Sequence, residues 1–170
     1  AGLNDQPILA SALVGVLGPK MDSVNMVNAA ALAHSHDIAV ATVRHDRRCD
    51  YESLLRLTLS YKAGERMVCG TLVGGDKARL VEVQGISVES AFTENMLYLR
   101  NYDKPGFIGA LGSMMGELGV NIATFHLGRK EAGGEAVALI EIDGSVTHDT
   151  LQSIRAMPQV VRADYLQFSA

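Results

Sequence analysis

Between residues 96 and 168 the apolar pattern changes its period in an order that leaves few architectures open. Residues 96–101 alternate as a strand. Residues 105–118 then take helical spacing, with Ile108, Leu111, Met115 and Leu118 on one face. Gly119 stands where a helix C-terminal cap belongs. Residues 120–129 and 135–142 read as strands joined by a hairpin turn at 131–134. Gly144-Ser145 breaks the pattern, Thr147 caps a second helix carrying Leu151, Ile154 and Met157, and Pro158 ends it before a last strand at 160–168.

Strand–helix–strand–strand–helix–strand is the ferredoxin-like order. Both helices should cover one face of a four-stranded sheet. The other face, or an edge, is then left for pairing with a second copy.

The first half has a different character. Pro7 opens an apolar helix that stops at Gly18-Pro19. A second helix is expected at 25–35, with Met26, Ala29, Ala30 and Ala33 on one face. Residues 38–43 read as a strand and 44–50 as a polar, partly basic loop (Arg44, His45, Arg47, Arg48). Short strands follow at 54–61, 67–73 and 78–83, separated by turns at 63–65 and 74–76. Residues 87–95 are polar and unpatterned, which places a domain boundary between 93 and 94. The expected fold class is α+β: a helix-plus-antiparallel-sheet domain at 1–93, then a βαββαβ domain at 94–170.

Composition excludes several functions. The net charge of −4 argues against a general phosphate-backbone binder. With no Trp and 5% aromatic residues, stacking platforms for single strands are not evident. No apolar run spans a membrane, and residues 1–5 do not read as a signal peptide. A cytoplasmic protein with Cys49 and Cys69 as reduced thiols is therefore expected. His34 and His36 lack a third ligand at metal spacing, and the two cysteines lack C-x-x-C spacing. No metal site is expected. Neither G-x-G-x-x-G after a strand nor G-x-S-x-G occurs, so the chain carries no expected catalytic set.

The most informative stretch is 100–112. A strand enters a sharp turn there and leaves as a helix holding Gly106, Gly109, Gly112 and Gly116. Each interior Gly costs about 0.8–1 kcal/mol of helix propensity relative to Ala, so several together ask for a reason. Close approach of another backbone or a ligand is one. Tight packing on the sheet is the other. A helix N-terminus suits a carboxylate, Asp103 suits an ammonium group, and Asn101 and Asn121 can each donate and accept. Together they describe a receptor for a free amino acid. Capping of turns and helix ends would use the same residues.

Asn101-Tyr-Asp-Lys-Pro-Gly-Phe-Ile-Gly, followed by Gly119-Val-Asn-Ile-Ala, Leu127-Gly-Arg and Gly134-Glu-Ala, resembles an ACT domain. More narrowly it resembles that of the bacterial D-3-phosphoglycerate dehydrogenases. Val24-Asn-Met-Val-Asn-Ala-Ala-Ala-Leu-Ala, Asp50-Tyr-Glu-Ser-Leu-Leu-Arg-Leu-Thr and Gly70-Thr-Leu-Val-Gly-Gly resemble the intervening, or allosteric substrate-binding, domain of that family's long form. The resemblance implies a regulatory fragment with no cofactor of its own. Its parent would oxidise 3-phosphoglycerate with NAD, the first step of serine synthesis. The ACT domains would pair through their sheet edges into a homo-oligomer and bind L-serine at the interface. Carried over by position, the effector site comprises Asn101, Asp103, Pro105, Gly106, Phe107, Ile108 and Asn121. Arg79 falls where the family carries an anion site, and Ala91 stands where a further basic residue would be. The remaining partners implied are the catalytic domains of the same parent chain. A regulatory part of an iron–sulfur L-serine dehydratase and a stand-alone amino-acid-binding module are the alternatives.

Overall fold

The computed structural model describes residues 4–45 and 50–168. It forms two compact units, Ala1–Arg48 and Cys49–Ala170. Compactness therefore groups the chain differently from the expected division at 93/94, because the sheet of the first half shares a core with that of the second.

In the first unit, α1 (Gln6–Leu17) starts with Pro in its first turn and runs into a 3₁₀ turn at Gly18–Lys20. The second helix, α2 (Ala29–Ser35), begins later than its apolar pattern suggests. Asn25 Oδ1 accepts from the N–H of Val27 at 2.9 Å and of Asn28 at 3.1 Å, and Asn28 Oδ1 accepts from Asn25 N–H at 2.8 Å. This reciprocal turn holds 25–28 out of the helix and leaves Met26 exposed rather than on the packed face. Leu13 and Leu17 pack on Ala29 and Ala33, whose small side chains let the helices approach. The strand expected at 38–43 does not form. Ile38, Val40 and Val43 are exposed, and among the described residues no strand pairs with them. Alternation alone cannot make a strand without a partner to take its hydrogen bonds.

The second unit holds two four-stranded antiparallel sheets. The first is a meander of β1 (Leu55–Tyr61), β2 (Gly64–Val73), β3 (Lys77–Val83) and β4 (Ile86–Ala91). The last of these occupies much of the stretch expected to be unpatterned. Its Ile86, Val88 and Ser90 are buried, alternating with more exposed neighbours. A two-residue turn joins it to β3, with positive φ at both Gln84 (53°) and Gly85 (75°), the backbone that hairpin twist favours. Gln84 tolerates this because its side chain is used at both ends. Its Oε1 accepts from Met67 N–H at 2.7 Å, and its Nε2 donates to the Glu65 carbonyl at 3.3 Å.

The second sheet has the order β6-β7-β5-β8, built from β5 (Asn95–Tyr102), β6 (Ile122–Arg129), β7 (Glu135–Ile142) and β8 (Val160–Gln167). Helix α3 (Phe107–Glu117) connects β5 to β6, and α4 (His148–Arg155) connects β7 to β8. This is the ferredoxin-like arrangement that the pattern predicts. Thr147 caps α4, its Oγ1 accepting from Thr150 N–H at 3.1 Å. Leu97, Leu99, Ala138, Ile140 and Ala163 face the helices, against Leu111, Met115 and Ile154. The buried stripe of α3 is Phe107, Leu111 and Met115, while Ile108 and Leu118 are exposed, against expectation. Starting the helix at Phe107 sets a stripe of i, i+4, i+8, which keeps Leu111 and Met115 of the expected face but replaces Ile108 by Phe107 and leaves out Leu118.

The other face of this sheet is not free. Met96, Val137 and Leu139 pack against Val83, Ile86 and Val88 of the first sheet. A second copy therefore has the edges β6 and β8 to pair with, and not that face. The two sheets come closest where β4 passes β6. A Cβ added to Gly128 would lie 2.0 Å from the Ser87 carbonyl oxygen, so only glycine fits there.

Candidate functional site

The turn from β5 into α3 is a corner built by local chemistry. Gly106 takes φ +86°, a left-handed conformation that turns the chain into Phe107. No side chain caps α3. Phe107 N–H donates to the Lys104 carbonyl at 3.3 Å, which leaves the N–H groups of Ile108 and Gly109 available at the positive end of the helix dipole. Below it, Asn101 is on the same side of β5 as Leu97 and Leu99 by strand alternation. It is 1% exposed. Its Nδ2 donates to the Tyr102 carbonyl at 3.1 Å, but its Oδ1 is buried with no partner. A buried acceptor left unsatisfied costs about 1–3 kcal/mol, so this atom is poised for a donor.

Asp103 lies in the link. Its N–H donates to the Gly134 carbonyl at 2.8 Å, pinning the turn to the β6–β7 hairpin. Its Oδ2 accepts from the Arg129 guanidinium, and from Gly133 N–H at 3.2 Å. These two donors, Arg129 foremost, hold the carboxyl below its ordinary value. The second oxygen, Oδ1, has no partner among the described residues. Arg129 was not singled out as a site residue in the sequence, although it ends the Leu127-Gly-Arg motif. Pro105 and Ile108 are exposed beside the corner, and Phe107 is buried beneath it.

Asn121 is not at this corner within one chain. It immediately precedes β6, whose Ile122 pairs with Ile142, while Glu141 pairs with Met96 at the start of β5. Asn121 is therefore at the opposite end of the sheet from Asn101, about six residues or roughly 20 Å along the strands. The reason is simple. Helix α3 returns along the sheet, so the residue after its C-terminus starts β6 far from the helix N-terminus. There Asn121 Nδ2 donates to Asp143 Oδ2 at 2.6 Å.

Arg79 belongs to a separate place, a cavity of about 490 Å³ between the two sheets. Residues Arg79 of β3, Glu89 and Ser90 of β4, and Thr93 of the β4–β5 link line one side. Thr124 and His126 of β6 and Glu141 of β7 line the other. Thr93 Oγ1 is buried there without a partner. Neither Thr93 nor Glu141 was singled out in the sequence, because no motif joins residues so far apart. Ala91 lines the same cavity.

The remaining candidates are isolated. His34 and His36 are exposed. Among the described residues no group of three His, Cys, Asp or Glu could hold a metal. Cys69 is buried, free of a disulfide, and its sulfur accepts from Arg56 Nε at 3.3 Å. The expectations for Cys49, Arg47 and Arg48 fall outside the described residues. Among those residues no helix is long and apolar enough to cross a membrane.

Two family models match. That of the D-3-phosphoglycerate dehydrogenase intervening domain covers residues 1–84, and that of the ACT domain covers 95–159. Among curated relatives, a D-3-phosphoglycerate dehydrogenase of Bacillus subtilis is 28% identical over 162 residues, 95% of this chain and 31% of the relative. One of Synechocystis is 31% identical over 152 residues, 89% of this chain and 27% of the relative. A probable L-serine dehydratase beta chain of Bacillus subtilis is 22% identical over 107 residues, 63% of this chain and 49% of that protein. The chain thus spans about 30% of the dehydrogenases it matches.

Proposed function

We propose that this chain, in which a D-3-phosphoglycerate dehydrogenase intervening domain is followed by an ACT domain, is the regulatory part of a longer NAD-dependent dehydrogenase and senses L-serine where two copies meet. The observation that carries the reading is the pairing of an uncapped helix N-terminus with a buried, unpartnered acceptor. The serine carboxylate takes the free N–H groups of α3. Its ammonium group takes Asn101 Oδ1 and the open oxygen of Asp103. Pro105, Gly106, Phe107 and Ile108 supply the backbone and wall of the pocket.

The site is completed by a second copy. Strand β6 is an edge strand and runs parallel to β5, since each is antiparallel to β7. A two-fold axis through the middle of β6 pairs it antiparallel with its copy and reverses it. Asn121 of the partner subunit then comes to the Arg129 end, beside the corner. Gly109, Gly112 and Gly116 support a close approach along α3, because an added Cβ at each meets nothing within 4 Å. Open space at these glycines favours a neighbouring backbone over tight packing on the sheet. Serine gripped by both copies favours one relative orientation, and couplings of this kind are worth about 1–3 kcal/mol, or 5- to 150-fold. In the same reading Arg79 receives an anionic group in the cavity between the sheets.

Titration calorimetry with L-serine tests the proposal. Wild type should bind with a heat that Asp103→Ala abolishes, and equal heats for the two would overturn it. The likeness to an L-serine dehydratase beta chain favours a second reading, in which the same module regulates a lyase. The coding sequence upstream of residue 1 separates the two: a nucleotide-binding dehydrogenase segment supports the first and dehydratase sequence the second.

A further inference from the structure

We propose that the cavity between the two sheets binds a zwitterion of the α-amino-acid class, with its carboxylate on Arg79 and its ammonium group between Glu89 and Glu141. This rests on the reading that Arg79 receives an anionic group, and it names what kind.

Charge decides against a phosphate. Arg79 is the one permanent cation lining the cavity, and two carboxylates, Glu89 and Glu141, line it with Arg79. A dianion would gain one attraction and meet two repulsions. A simple cation would meet the reverse conflict at Arg79. A ligand carrying both signs a few ångströms apart satisfies the whole lining.

The groups are also unspent. Among the described residues, Arg79, Glu89 and Glu141 have no ion-pair partner. Arg79 Nη1 reaches only the neighbouring Ala78 carbonyl, at 3.3 Å. Glu141 accepts from Thr124 Oγ1 at 3.1 Å through Oε2, which fixes the carboxylate and leaves Oε1 open. Thr93 Oγ1 is a second, independent sign of a missing partner, since a buried hydroxyl without one is disfavoured. A shift of its side chain toward the cavity it lines would let it donate to the ligand carboxylate. The planar guanidinium suits a carboxylate bidentately. The volume of about 490 Å³ falls within the range of small-molecule sites and has room for an amino acid with a long side chain. Because its walls come from β3, β4, β6 and β7, an occupant would tie the first sheet to the edge strand β6.

The test uses the full chain with Asp103→Ala, so that the α3 corner does not contribute. Thermal shift against each of the twenty common L-amino acids and against inorganic phosphate selects a probe, and calorimetry follows. At least one amino acid should bind. Arg79→Ala and Glu141→Gln should each weaken it at least about tenfold. Thr93→Val, which keeps the shape, should weaken it less and leave the melting temperature in place. Arg79-dependent binding of phosphate that Glu141→Gln strengthens would overturn the zwitterion while leaving the anion reading of Arg79 standing. No binding of any amino acid or of phosphate would overturn both.

Discussion

The α3 corner and the inter-sheet cavity belong to the same eight-stranded unit, yet they are made in opposite ways. The corner is local: residues 101–108 supply its buried amide, its acid and its helix start in one short run. The cavity is assembled from four strands and a link spanning residues 79–141. The corner does not include Asn121, which lies at the far end of the same sheet, whereas the cavity brings its lining residues together within one chain. A local corner that would draw Asn121 from a second copy, as proposed above, suits sensing between copies. A site lined by both sheets suits control of how those sheets sit on each other.

Substitutions can break one region and spare the other. The largest effect is expected at Phe107, 2% exposed under the first turn of α3. Phe107→Ala should cost about 3–5 kcal/mol in chemical denaturation and remove serine binding with it. Gly128→Ala is the counterpart for the cavity. Its new methyl meets the Ser87 backbone, and the forced separation of β4 from β6 should cost about 1–3 kcal/mol. Amino-acid binding at the cavity should fall, and the corner should keep its serine affinity. Gly106→Ala places a side chain at φ +86°. It should cost about 1 kcal/mol and weaken serine binding in calorimetry by misaiming the α3 N–H groups.

The smallest effect is a pH dependence. Asp103 has a folded-state value below its unfolded one, because Arg129 and Gly133 N–H favour the carboxylate. Its contribution to stability is therefore present above the ordinary carboxylate value and is lost as pH falls through the lowered one. Asp103→Asn should lower the melting temperature slightly in the neutral range, where that contribution is present, and so flatten the acid limb of the thermal melts. At the cavity no comparable acid limb is expected from this group.

The same contrast explains what could be read from the sequence. The βαββαβ order was legible because each strand and helix of 96–168 keeps its own period, and Thr147, Pro158 and Gly119 mark the ends. Strand β4 was not, because its turn uses Gln84 at positive φ instead of Asn, and because Ser90 is a polar residue on a buried face. Residues 38–43 carried the alternation of a strand but pair with no strand among the described residues. At the corner, Asp103 and Asn101 were legible as chemistry. The buried, unpaired state of Asn101 Oδ1 and the hold of Arg129 on Asp103 were not, since both depend on the β6–β7 hairpin folding back. Asn121 was misplaced for want of direction, because a helix that packs antiparallel to its strand carries the chain away from the corner.

A mixing experiment tests most directly whether two copies share one serine. Chains with Asp103→Ala and chains with Asn121→Ala are each prepared alone and then combined after exchange of subunits. Alone, each homodimer has both sites broken and should give no serine heat. Mixed one to one, half the dimers are hybrids with one intact site, so calorimetry should recover about a quarter of the wild-type stoichiometry. Serine binding by Asn121→Ala alone at wild-type affinity, or a mixture as silent as its components, would contradict a site shared between copies.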